Sequence, residues 1–161
     1  YTVTAKYGVP ELEGKELAHL RSFIDEDFFR YMSFYDGVEE AVRALAEHYD
    51  LVCVTALSHD MRSAREDALR HLPFKGVIST PVPQGWCRHT GTSPKAEAIR
   101  DIGATLFVDD YLPFHRNVGA GVHQVLLSHP NETHTALDLK HVDAVHENFV
   151  EFVSNHTGRV L

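Results

Sequence analysis

The run Ala104-Thr105-Leu106-Phe107-Val108-Asp109-Asp110 decides the fold class. A short apolar stretch of β-type composition starts after Gly103 and ends on two adjacent carboxylates, which predicts a buried strand closing at a polar edge. Just upstream, Ser93-Pro94 is a helix start, with Ser as N-cap and Pro in the first turn. That helix is expected to run to about Ile102 and stop at Gly103. Further out, Leu51-Val52-Cys53-Val54-Thr55, Gly76-Val77-Ile78-Ser79 and the run from Val122 to Leu127 read as three more strands. Helices are expected around Val38, Ala41, Val42 and Leu45, and from Met61 to Leu72, from their i, i+3, i+4 apolar spacing. A last helix is expected to bury Val142, Val145, Phe149, Phe152 and Val153. Strands alternating with helices mean an α/β fold, a Rossmann-like parallel sheet with helices on both faces. In such sheets ligands bind at the carboxyl ends of the strands.

The chain has 161 residues, 43% of them hydrophobic, enough for one domain with a core of its own. Its formal net charge of −8 argues against a nucleic-acid polymer as partner, which would favour a basic face. Phosphate ligands remain compatible with it, because backbone N–H groups bind them locally. Cys53 and Cys87 read as unpaired, Cys53 as core, and suggest a reduced, cytoplasmic setting. No apolar run approaches the ~20 residues of a membrane span, so no membrane partner is expected.

Three features fall at the expected carboxyl ends. Thr55 closes its strand, where its hydroxyl and the Ala56 N–H can hold a phosphate oxygen. Lys95 sits in the first turn of a helix, where an ammonium can reach the same anion. Asp109 and Asp110 are hard oxygen ligands suited to Mg²⁺. Each has a bland reading: a capping Thr, a solvated Lys, an acidic turn. Their order is more specific than any of them, with Lys95 about 40 residues after Thr55 and Asp109 about 14 after Lys95.

Taken together, these segments resemble the haloacid dehalogenase (HAD) superfamily, whose motifs are a strand-final Asp-x-Asp, a strand-final Thr or Ser, a Lys, and a strand-final Asp-Asp. Val52-Cys53-Val54-Thr55-Ala56 looks like the second, Lys95 like the third and Phe107-Val108-Asp109-Asp110 like the fourth. The run Asp27-Phe28-Phe29-Arg30-Tyr31 and the following Gly37-Val38-Glu39-Glu40-Ala41-Val42 are similar to the 5′(3′)-deoxyribonucleotidase branch. The likeness covers roughly residues 25–155. It implies a single HAD-like domain over residues 1–161, with residues 6–35 as a reduced cap. It also implies Mg²⁺-dependent hydrolysis of a nucleotide or other phosphate monoester, with Phe28 and Phe29 offered to the base. Core packing between cap and body is the competing reading of those two rings.

The first motif, source of the nucleophile, is not found in the family's place. Three readings stand. The motif precedes Tyr1. Or Tyr1-Thr2-Val3-Thr4-Ala5 is the first strand and the motif has decayed, which makes a catalytically silent fold with a binding or structural role and a protein partner. Or Ile24-Asp25-Glu26-Asp27-Phe28 is itself the motif, with Asp25 and Asp27 as weak nucleophile candidates. In the family the first strand lies between those ending at Thr55 and Asp109, so residues 1–5 are the candidate for that slot within this chain.

Other features carry less. Twelve histidines include His129, His134, His141 and His146, whose spacing does not put two ligands on one helix face. Trp86, Cys87 and Arg88 lie in a loop that either approaches substrate or is pinned by one aromatic. Asn131-Glu132-Thr133 and Asn155-His156-Thr157 match glycosylation sequons and read as chance.

Overall fold

The computed structural model describes residues 25–129 and 132–161. The readings placed on residues 1–24, including the strand at 1–5 and most of the cap segment, lie outside these. The described chain runs α1 (Glu26–Tyr31), α2 (Val38–Ala46), β1 (Leu51–Thr55), α3 (Arg62–Leu69), β2 (Phe74–Ser79), α4 (Ala96–Asp101), β3 (Leu106–Asp109), β4 (His123–Leu127), β5 (Ala144–His146) and α5 (Phe149–Thr157), with short 3-10 turns between. It is a mixed α/β structure. Among the described residues every strand pairing is parallel, and the strands form two sheets, β1-β2 and β3-β4-β5, where the sequence suggested one.

One apolar layer serves both sheets. Ala41, Ala44 and Leu45 of α2 cluster with Val125 of β4 and with Phe152 and Val153 of α5, and Leu51 of β1 and Leu106 and Val108 of β3 pack onto the same cluster. The apolar spacing of α2 puts Ala41, Val42 and Leu45 inside, as its periodicity predicts. On β3 the side chains alternate. Phe107 and Asp109 are the buried pair, and Phe107 joins Ile99, Phe114 and Val118 in a second cluster beside α4. A two-residue period therefore carries Asp109 toward the α4 side of the sheet.

Three local readings need correction. Residues 25–28 do not close a strand: Asp25 caps α1, its side chain accepting from the Phe28 N–H at 3.0 Å, and Asp27 lies inside that helix. A Ser/Asp-type cap before a helical run outweighs the Asp-x-Asp spelling. Val142 and Val145 are not helical: β5 pairs with β4, and Val145 is 44% exposed. Asn148 caps the final helix by accepting from the Glu151 N–H, so that helix opens only at Phe149. Helix α4 begins at Ala96, with the Ser93 hydroxyl accepting from the Lys95 N–H in the turn before it.

Candidate functional site

Lys95 and Asp109 meet at the carboxyl end of β3. Lys95 is 7% exposed and Asp109 8%, and the Lys95 Nζ lies 2.5 Å from Asp109 Oδ2. The other carboxylate oxygen accepts the Tyr111 N–H at 2.8 Å. The ammonium also stands over two rings, 5.0 Å from the Phe114 centroid and 5.9 Å from that of Phe107. Two buried charges are tolerable because each neutralises the other and the remaining faces are filled by rings and a backbone donor.

Beneath them is His115, fully buried at 0% exposure. Its Nε2 lies 3.3 Å from the Asp109 carbonyl oxygen, which requires that nitrogen to be the donor, and its ring lies 5.0 Å from that of Phe107. Burial holds its pKa below the ordinary value, against the opposing pull of Asp109 and Gln124. No motif spacing marked His115 in the sequence, and the neighbouring Pro113-Phe114 gave no signal beyond a turn.

Thr55 closes β1. Its hydroxyl faces the Leu57 N–H at 3.4 Å, and its carbonyl accepts from both the Thr80 N–H (2.8 Å) and the Thr80 hydroxyl (3.1 Å). The Ser79 hydroxyl donates to the Leu57 carbonyl at 2.5 Å. Ser79 and Thr80 thus fix the turn that follows β1, a role the sequence reading missed. Ala56 packs against the cluster holding Phe107 and Phe114, the rings that border Lys95. The end of β1 and the Lys95–Asp109 pair therefore share one apolar cluster. On β1, burial raises the Cys53 thiol pKa, while Arg65 and Lys95 pull it down and Asp109 pushes it up.

The loop after β2 is pinned. Trp86 Nε1 donates to the Thr92 carbonyl at 2.7 Å, and its ring packs 5.8 Å from Phe114. The Gly91 N–H bonds the Cys87 carbonyl at 2.7 Å. The Arg116 guanidinium holds the Arg88 carbonyl, and Asn117 Nδ2 donates to the Thr92 hydroxyl at 3.2 Å.

Phe28 and Phe29 belong to α1. They form an edge-to-face pair on α1, which packs on α3, with the Arg65 guanidinium 5.6 Å over the Phe29 ring. Asp27 pairs with Arg30 at 2.9 Å, and Arg30 with Asp67 of α3 at 3.0 Å. These contacts tie α1 to α3.

An Mg²⁺ ion here would draw its hard oxygens from Asp110 and from Asp109, whose two oxygens already meet Lys95 Nζ and the Tyr111 N–H. Among the described residues no group of three or more His, Cys, Asp or Glu side chains is placed to hold a metal by itself. No helix among the described residues is long and apolar enough to cross a membrane. Comparison with protein-family models, with characterised proteins and with solved structures found no match to this chain.

Proposed function

We propose that this chain carries the phosphate-holding part of an HAD-type phosphomonoester hydrolase site at the carboxyl ends of its parallel strands. The observation that supports this reading most is the buried Lys95–Asp109 pair beside the end of β1. A lysine kept dry and neutralised by a strand-final aspartate is a preformed cation that an incoming phosphate can share. In this reading Thr55 and the Ala56 N–H hold a phosphate oxygen, Lys95 offsets its charge, and Asp109 with Asp110 takes Mg²⁺. When bound, the ion would supply Lewis-acid neutralisation of the phosphate oxygens. By resemblance the substrate class is a nucleoside 5′-monophosphate.

A second reading is a catalytically silent HAD fold that binds a phosphorylated ligand or a protein partner. It is favoured by one observation: Asp25 caps α1 and Asp27 lies inside it, so neither aspartate closes a strand.

The test is a thermal melt of the 161-residue chain with millimolar Mg²⁺ and inorganic phosphate or a deoxynucleoside monophosphate. A ligand bound only by the folded state raises the melting point by mass action, with ~2.7 kcal/mol at a hundredfold excess over Kd. The shift is expected in the parent and lost in Asp109→Asn. No shift in a folded parent would end the phosphate-site reading.

A further inference from the structure

Three cations gather on one rim of the molecule without a carboxylate. Elsewhere on the surface Arg30, Arg62, Lys75 and Arg159 each meet an acidic side chain. Arg88, Arg116 and Lys140 meet none among the described residues, in a chain with 23 acidic residues against 15 basic ones. Arg88 lies in the loop after β2, Arg116 in the turn after β3 and Lys140 in the connection from β4 to β5. The Arg116 guanidinium donates to the Arg88 carbonyl, and the turns Leu112–His115 and Asp138–His141 pack on each other. Asp138 is near Arg116, but its Oδ2 already accepts the Thr135 N–H at 2.9 Å and the Thr135 hydroxyl at 2.7 Å.

Two neighbours register the positive field. The exposed Cys87 thiol has its pKa lowered, first by the Thr90 hydroxyl and the His89 and Thr90 N–H groups, then by Arg116. His141 is pushed down by burial and then by Lys140 and Arg116. Donors and cations thus converge on a point where an anion is favoured.

This rim adjoins the buried pair. The Arg116 carbonyl accepts the Ser93 N–H at 3.0 Å, and Ser93 in turn accepts the Lys95 N–H at 3.2 Å. Between the two centres lie rings: Lys95 stands over Phe114, and Phe114 packs against the half-buried Trp86, next in the chain to Cys87. The surface is therefore charged at both ends and aromatic between.

We propose that Arg116, Arg88 and Lys140 form a second anion subsite beside the Lys95–Asp109 pair, fitted to a phosphate monoester that carries a second phosphate. A planar guanidinium matches phosphate oxygens two at a time, and the ring-lined stretch suits a flat, uncharged body linking the two phosphates. The place of the first phosphate rests on the functional reading above. The second subsite stands on the rim residues alone.

Cys87 is the reporter, followed by peptide mass after alkylation with iodoacetate or with neutral iodoacetamide. Both reagents consume the same thiolate, so the ratio of their rates reads the local field and not the thiol pKa. In the folded parent the ratio should exceed that of the urea-unfolded chain by about 5-fold, the effect of roughly one nearby charge. It should collapse in 1 M NaCl and in Arg116→Gln. Lys140→Gln, at an exposed position, should lower it in the same direction and makes the test if Arg116→Gln does not fold. Equal ratios in the folded and unfolded chains, or a raised ratio indifferent to both variants, would overturn the subsite. Adenosine 3′,5′-bisphosphate should then slow the iodoacetamide reaction at about 10-fold lower concentration than adenosine 5′-monophosphate, and Arg116→Gln or Lys140→Gln should narrow that gap. Equal protection by the two nucleotides would overturn the assignment to a ligand with two phosphates. A melt unresponsive to phosphate, with the reagent ratio intact, would end the functional reading and leave the rim as an anion site of its own.

Discussion

The Lys95 ammonium and the Asp109 carboxylate, 14 residues apart in sequence, form a buried ion pair of 2.5 Å that ties the start of α4 to the end of β3. Removing one member strands the other charge in a dry environment. Lys95→Ala and Asp109→Ala are each expected to lose about 3–5 kcal/mol of stability. The double variant should lose less than the sum, because the second deletion removes the charge the first left unpaired. Urea denaturation of the three variants checks this, and strict additivity would show that the pair is not coupled.

Hydrolysis is expected to be very slow in the 161-residue chain. Removal of a covalent nucleophile costs on the order of 10⁴-fold or more in rate. Phosphate release from deoxynucleoside monophosphates with Mg²⁺ should therefore stay near background. Asp25→Asn should change neither that rate nor the fold, since Asn caps a helix about as well as Asp. Brisk turnover abolished by Asp25→Asn would instead make Asp25 the nucleophile, in spite of its place as the cap of α1.

At Gly91 the loop has no room for a side chain. A Cβ built there would meet Trp86 Nε1 at 2.6 Å and the Cys87 carbonyl oxygen at 2.7 Å. The second contact is with backbone that is itself held by the Gly91 N–H. Gly91→Ala should cost about 1–3 kcal/mol, as overpacking does. It should also release the Trp86 indole from the Thr92 carbonyl, seen as a red shift in the emission of this single tryptophan. An unchanged spectrum and midpoint would mean the loop relaxes without strain.

How far these features were legible differs from residue to residue. The strands around Cys53, Val77, Phe107 and Val125 were readable because each is a short β-type run between polar breakers. Helix α2 was readable from its apolar period. Residues 144–146 were not, because their strand state comes from pairing with β4, a long-range contact that overrides local spacing. The Asp25-Glu26-Asp27 spelling was ambiguous for the reverse reason: its capping chemistry is local, and only neighbouring residues decide it. Thr55, Lys95 and Asp109 could be named from order and spacing. The buried contact between two of them, and the His115 and Phe114 side chains around it, depend on how α4 and the turn after β3 fold back, which no sequence period encodes.

His115 sets the expected pH response. Its depressed pKa comes first from burial, and the groups facing it are Asp109, Gln124, Lys95 and the Phe107 ring. In the unfolded chain a histidine takes up a proton near pH 6.5. The folded chain resists that uptake until the pH falls further. Between the two pKa values the unfolded state binds more protons, so stability falls as the solution is acidified below about 6.5. The slope contributed by one histidine is at most about 1.4 kcal/mol per pH unit. His141 is shifted the same way by burial and by Lys140 and Arg116, so the parent curve carries both. The contribution of His115 is isolated by difference. His115→Gln keeps a donor for the Asp109 carbonyl but has nothing to protonate. It should be less stable than the parent at pH 8 and should lose stability more gently from pH 6.5 to 5. Denaturation midpoints measured every half unit give the two curves. If they run parallel through that range, His115 is not the group that senses acid.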